Sequence, residues 1–197
     1  MKNRFNQISI LEKKVKKTYF SYDNLMNEVT YNKKFSKYFK VPKIYEIYGL
    51  TMEMEKIENR LLKNEIKQRR DFGLIKYLFD KKKYIKNKEG KDLTHGDFRL
   101  PHIFISDKSD FALIDFEYSH YGDINFDLAY FYFSLLQNRF IKESESLKEL
   151  VKKEYNYKKF LKSGKYYCER IKENPLIKNK RIWNQNIKEI NKDLNLY

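Results

Sequence analysis

The sequence predicts an α+β chain with a small strand-rich first part and a mostly helical remainder. Three observations carry this expectation. Leu50, Met52 and Met54 alternate with Thr51, Glu53 and Glu55, the period of a half-buried strand. Phe72, Ile75, Leu78 and Phe79 fall at i, i+3, i+6 and i+7, the stripe of an amphipathic helix. Two short apolar runs, Ile103–Ile105 and 111–114, bracket the polar turn Ser106-Asp107-Lys108-Ser109-Asp110. Runs of that length around such a turn read as a β-hairpin with a longer loop.

In chain order, residues 1–20 read as strand material, with Ile8, Ile10 and Leu11 apolar and Val15 set among Lys13, Lys14, Lys16 and Lys17. Asp23 is positioned to cap a helix from Asn24, with Leu25, Val29 and Asn32 on one side, Met26 beside them and Glu28 within it. A strand opens at Val41-Pro42-Lys43-Ile44-Tyr45, and Gly49 turns it into the alternating stretch 50–55. Residues 59–88 read as one basic helix that ends in a solvated lysine run and stops at Gly90. Asp127 opens a buried apolar helix, where its charge suits the helix dipole. Residues 144–162 and 165–173 read as further amphipathic helices. Pro175 interrupts them, and the tail from Leu176 carries Trp183. There is no internal repeat.

The 197 residues suffice for one good core or two small lobes. The single cysteine, Cys168, excludes an internal disulfide and a cysteine metal cluster, which fits a reducing cytoplasm. The N-terminus lacks the apolar core of a secretory signal, and the apolar run 128–136 is too short to span a bilayer. The net charge of +15 admits nucleic acid or an anionic membrane as partner. The joint excess of Lys, Asn, Ile and Tyr instead suggests a codon bias. Nucleic acid remains a candidate but not the expected main partner, because no binding signature for it is present.

The chemistry concentrates in residues 92–130, which hold all three histidines, His95, His102 and His120, and the spaced aspartates Asp97, Asp115 and Asp127. The hairpin brings Asp97, just before its first strand, near Asp115, just after its second. Two carboxylates at one end of a hairpin can divide phosphoryl transfer: one orients a hydroxyl and accepts its proton, and the other holds Mg²⁺ against nucleotide phosphates. The histidines lack zinc-site spacing.

At these residues the chain resembles the aminoglycoside phosphotransferase/choline kinase branch of the protein-kinase-like superfamily. The resemblance rests on His95-Gly96-Asp97, on Ile114-Asp115-Phe116-Glu117 and on Phe126-Asp127-Leu128-Ala129. It implies a two-lobed protein-kinase-like fold, with a β-rich N-lobe over 1–58 and a helical C-lobe over 59–197. The catalytic loop would be 95–102 and the metal-binding segment 114–117. By the same resemblance Asp97 is the catalytic carboxylate, Asp115 a metal ligand, His95 a structural brace, and Asp127 an anchor for the catalytic-loop backbone. A strand lysine, Lys16 by its distance to the helix or else Lys17, would pair with the nucleotide phosphates and with Glu28. Glu55, Lys56 and Ile57 match the hinge whose backbone meets adenine.

Three features are this chain's own. His102 stands where the family has an asparagine, and becomes a candidate metal ligand. Arg99, two residues after Asp97, is positioned to stabilise charge on the transferring phosphoryl group. No glycine-rich phosphate loop precedes Gly49, so the small lobe is expected to be trimmed. The resemblance implies an ATP- and Mg²⁺-dependent phosphotransferase acting on a hydroxyl of a small molecule. The alternatives are a catalytically impaired pseudokinase that acts by binding, and a small protein kinase.

Overall fold

A computed structural model describes residues 6–69, 72–106, 110–173 and 180–195. Residues 107–109 of the predicted hairpin turn, Pro175 and the start of the tail at Leu176 lie outside the described residues. The chain is α+β, and by packing it divides into two compact units, each built from two stretches.

The first unit takes residues 1–70 and 95–121. Its larger sheet has four antiparallel strands, β1 (Gln7–Ile10), β2 (Lys14–Thr18), β3 (Ile44–Tyr48) and β4 (Thr51–Glu55), in the order β1-β2-β4-β3. Alternation along β2 decides what each lysine does. Val15 and Lys17 share the inner face, where Val15 packs on Tyr19, Leu25, Met52 and Met54; Lys16 takes the other face, over the Tyr48 ring. Gly49, at φ +57°, supplies the β3–β4 turn.

Helix α1 (Tyr22–Phe35) crosses between β2 and β3 in sequence. Its cap is Ser21, whose hydroxyl accepts the Asn24 amide, so the expected Asp23 cap is corrected by two residues. Leu25, Glu28, Asn32 and Phe35 form its buried side, while Met26 faces solvent.

The expected single helix over 59–88 is interrupted. Arg60–Leu61 forms a strand, β5, then come α2 (Leu62–Arg69) and α3 (Gly73–Glu89). β5 is drawn into a second sheet by pairing with a strand formed by Ile103–Ile105, a long-range contact that local propensity does not register. α3 ends at Gly90 in the left-handed conformation, as expected.

The second unit takes residues 71–94 and 122–197. It holds α3, β6 (Asp92–Thr94), and the helices α4 (Ile124–Gln137), α5 (Ile141–Glu154), α6 (Tyr157–Glu173) and α7 (Arg181–Leu194). α4 is capped by Asp123 and starts three residues before Asp127. The break between the next helices falls at Tyr155-Asn156, not at residues 163–164 as the pattern implied. Asn156 accepts the Lys159 amide and restarts the helix. Gly164 therefore sits inside α6, where a Cβ would meet the Phe133 ring at 2.9 Å. Close packing of α6 on α4 explains the glycine, rather than a helix end. Lys82, expected in a solvated run, is buried and bonds Asp127 at 2.5 Å and the Leu93 carbonyl at 2.9 Å.

Candidate active site

The site is assembled within the first unit from β2, α1 and the hairpin of β7 (Ile103–Ile105) and β8 (Phe111–Leu113). Register in β7–β8 pairs Ile103 with Leu113, so the residues flanking the hairpin's open end, Asp97 to His102 and Ile114 to Glu117, converge.

Two backbone features shape this end. Gly96 has φ +80°, and a Cβ on it would lie 2.0 Å from the Tyr118 carbonyl oxygen; only glycine fits. Asp115 itself stands at φ +71°, a strained position for a residue with a side chain. His95 holds the two segments together. Its Nε2–H donates to the Ile114 carbonyl at 2.9 Å, its Nδ1 accepts the Asp97 amide at 3.3 Å, and its carbonyl accepts the Ser119 hydroxyl at 2.8 Å. Phe35, Phe98 and Phe116 enclose the ring. Asn27 of α1 donates to the carbonyls of Glu117 and Ser119, tying the same segment to the helix.

Lys17, not Lys16, is the lysine that pairs with Glu28. Its Nζ lies 3.0 Å from Glu28, 2.5 Å from Asp115 Oδ1 and 3.5 Å from Glu117. Tyr19 lies beneath, with its ring centroid 4.8 Å from the ammonium. Lys16, on the other face, is corrected out of this role. Sequence distance to α1 does not distinguish adjacent lysines; the strand's two-residue period, anchored on Val15, does. Burial works to lower the Lys17 pKa, but the three carboxylates outweigh it and hold the amine well above the usual lysine range. Burial pushes Glu28 upward, with Lys17 opposing. Asp115 is pushed upward by burial but drawn below the usual carboxylate range by Lys17 and His102. Asn27 and Glu117 belong to this network; Asn27 was missed, and Glu117 stood in the expected metal-binding segment 114–117 without a role of its own. Glu117 carried a signal, its place two residues after Asp115.

Asp97 is gripped by its own loop. Arg99 Nη2 donates to Oδ2 at 2.6 Å, while Arg99 Nε stands 2.5 Å from Oδ1 off the line of its N–H, an ion contact rather than a hydrogen bond. The Asp97 carbonyl accepts the Arg99 amide and faces His102 Nδ1, each at 2.9 Å.

Among the described residues, two groups of side chains have metal-ligand spacing: Asp97, His102 and Asp115, and Glu28, Asp115 and Glu117, each with donor atoms within 4.8 Å of one another. In the second, Lys17 already contacts all three carboxylates, so a cation there would have to displace an ammonium. The first offers two carboxylates and an imidazole, a donor set that fits a divalent ion.

A largely apolar cleft of about 410 Å³ adjoins these groups, lined by Ile8, Ile10, Val15, Met54, Ile57 and Phe104, with Lys17, Glu28, His102 and Asp115 among its walls. Of the hinge residues, Glu55 and Lys56 use their amides on the Lys43 and Lys13 carbonyls. The Ile57 amide makes no hydrogen bond among the described residues. Asp127 lies in the second unit, on Lys82. His120 is exposed, with its Nδ1 3.0 Å from the Tyr118 carbonyl oxygen. No helix among the described residues is long and apolar enough to cross a membrane.

A strand lysine paired with a helix glutamate, and two aspartates joined by a histidine-braced hairpin, define a protein-kinase-like arrangement. The chain belongs to the Phosphotransferase enzyme family (APH), whose profile matches residues 53–155. No curated protein matches the sequence. Among solved structures, choline kinase LicA from Streptococcus pneumoniae superposes with a TM-score of 0.60 at 15% identity, over 100% of this chain and 91% of that one. APH(2")-IIa, solved as a ternary complex with streptomycin and ATP, gives a TM-score of 0.50 at 12% identity, over 95% and 91% of the two chains. At such identities these likenesses establish the protein-kinase-like fold.

Proposed function

We propose that the protein transfers the γ-phosphoryl group of ATP to a hydroxyl of a small molecule. The observation that carries this reading is the convergence of His102, Asp115 and the Lys17–Glu28 pair on one apolar-walled cleft, with Asp97 grouped beside His102 and Asp115. The apolar walls suit a purine ring, and the free Ile57 amide suits an acceptor on its edge. Lys17, kept charged by Glu28, faces the phosphates. A divalent ion held by Asp115 with His102 would neutralise phosphate charge. Asp97 orients the acceptor hydroxyl and takes its proton as the new bond to phosphorus forms. For that, Arg99 must release Asp97; its guanidinium then serves the transferring group's developing charge.

LicA is a choline kinase and APH(2")-IIa binds streptomycin, which makes an amino alcohol or an aminoglycoside the first acceptors to test. Of the aromatic residues that could cage a quaternary amine, Tyr130 and Trp183 are buried among core rings. Tyr118 and Tyr121 are exposed, and Lys34 sits over the Tyr121 ring at 4.4 Å. The grip of Arg99 on Asp97 also favours a second reading, a kinase-like binding protein with a closed catalytic carboxylate.

ADP release from Mg-ATP with choline, ethanolamine, streptomycin and phosphosugars as acceptors separates the two. Acceptor-dependent release that Asp97→Asn removes is expected. Nucleotide binding with no release for any acceptor or metal would favour the binding protein.

A further inference from the structure

His102 replaces the asparagine that the resemblance implies, and its ring is fixed. Its Nδ1 is 2.9 Å from the Asp97 carbonyl oxygen. A carbonyl only accepts, so Nδ1 carries the proton, and in the neutral ring the lone pair is on Nε2. His95 stacks on the same ring, centroids 6.1 Å apart and planes inclined by 24°. Nε2 faces Asp115 Oδ2 at 3.5 Å. The other oxygen of Asp115 is held by Lys17. In that neutral form two lone-pair donors face each other, at a span that two bonds of about 2.1 Å to a first-row divalent ion can bridge.

We propose that His102 and Asp115 make this site selective for a transition-metal divalent ion, of the Mn²⁺ or Co²⁺ kind, over Mg²⁺. The proposal rests on the nucleotide-site reading above. Mg²⁺ favours oxygen ligands and dehydrates reluctantly, whereas imidazole nitrogen binds later first-row ions with growing strength. Replacing an amide oxygen by a ring nitrogen, already oriented through the Asp97 carbonyl, exchanges a hard ligand for a softer one. Orientation by a second hydrogen bond is what metal-binding histidines use to fix tautomer and direction.

The test uses the metals alone, without nucleotide. Co²⁺ is titrated into the full chain and followed by its visible absorption, then displaced with Mg²⁺, for wild type, His102→Asn, His102→Gln and Asp115→Asn. Melts of each metal-free variant check folding. The expected result is a preference for Co²⁺ over Mg²⁺ that falls at least about tenfold in both His102 variants. Asp115→Asn should weaken both ions. An unchanged preference in the His102 variants, with Asp115→Asn still losing metal, overturns the selectivity while leaving the site. Co²⁺ binding indifferent to both residues overturns the proposal and the metal reading of Asp115 together.

Discussion

Lys17 Nζ stands 2.5 Å from Asp115 Oδ1, so the strand lysine and the metal-segment aspartate are joined within one unit. The contact makes Lys17 the centre of three carboxylates, and it separates the two adjacent lysines sharply. Lys17→Met would leave Glu28 buried without its counter-charge, a loss of about 3–5 kcal/mol. Lys16→Met, on the exposed face, should change stability by less than about 0.5 kcal/mol. Urea unfolding of the two variants measures the difference.

The same network sets a pH dependence. Asp115 titrates below its ordinary value, so its contribution is present above the unfolded carboxylate pKa and lost as pH falls through the folded value. Lys17 titrates above its ordinary value, so its contribution is full below the unfolded lysine pKa and lost only as pH rises through the folded one. Stability owed to this pair should be level from about pH 5 to pH 9 and decline below about pH 4. Melting points across pH for wild type and Asp115→Asn should converge at the acid end.

Gly96→Ala tests the close approach of the catalytic loop to Tyr118. The added Cβ meets backbone at 2.0 Å from a left-handed residue, where neither partner is the yielding end of a side chain. A destabilisation of roughly 2 kcal/mol or more is expected, with loss of activity even where the variant folds. An unchanged melting point would mean the loop can take another path.

Arg99→Ala should lower kcat about 10²- to 10³-fold if the guanidinium serves the transition state, with little change in nucleotide affinity. Arg99→Lys should recover part of the rate, because it restores charge without the fork that grips both oxygens of Asp97. A rise in kcat in Arg99→Ala would show that the grip acts only as a brake.

Asp127 and Lys82 form a buried pair in the second unit. Asp127→Asn should destabilise by about 3–5 kcal/mol. Adding Lys82→Met should recover part of that, since the uncompensated ammonium is then gone.

The parts of the fold legible in the sequence were those set by local period and motif: α1, β3–β4, the stripe of α3, the β7–β8 hairpin and the helix carrying Asp127. The strand β5 was hidden because its pairing partner lies more than forty residues away in sequence. The helix break was expected at residues 163–164 rather than at Tyr155-Asn156; Gly164 lies inside α6, where packing against Phe133, not local chain chemistry, requires it. At the site, Asp97, Asp115 and His95 stood in contiguous motifs, and the structure brings them together. Lys17 was recoverable from strand alternation, but the count from the helix pointed one residue away. Asn27 had no signal, since its carbonyl partners are set by tertiary contact alone.

The central claim is that the Lys17, Asp115 and His102 cleft binds a nucleotide with a divalent ion. Ligand that binds only the folded state must raise its melting point. Thermal melts of wild type and Asp115→Asn, with and without ATP, each with and without Mg²⁺ or Mn²⁺, test it most directly. The account predicts a metal-dependent rise with ATP in wild type that Asp115→Asn removes. No rise at millimolar ATP with either metal would contradict it.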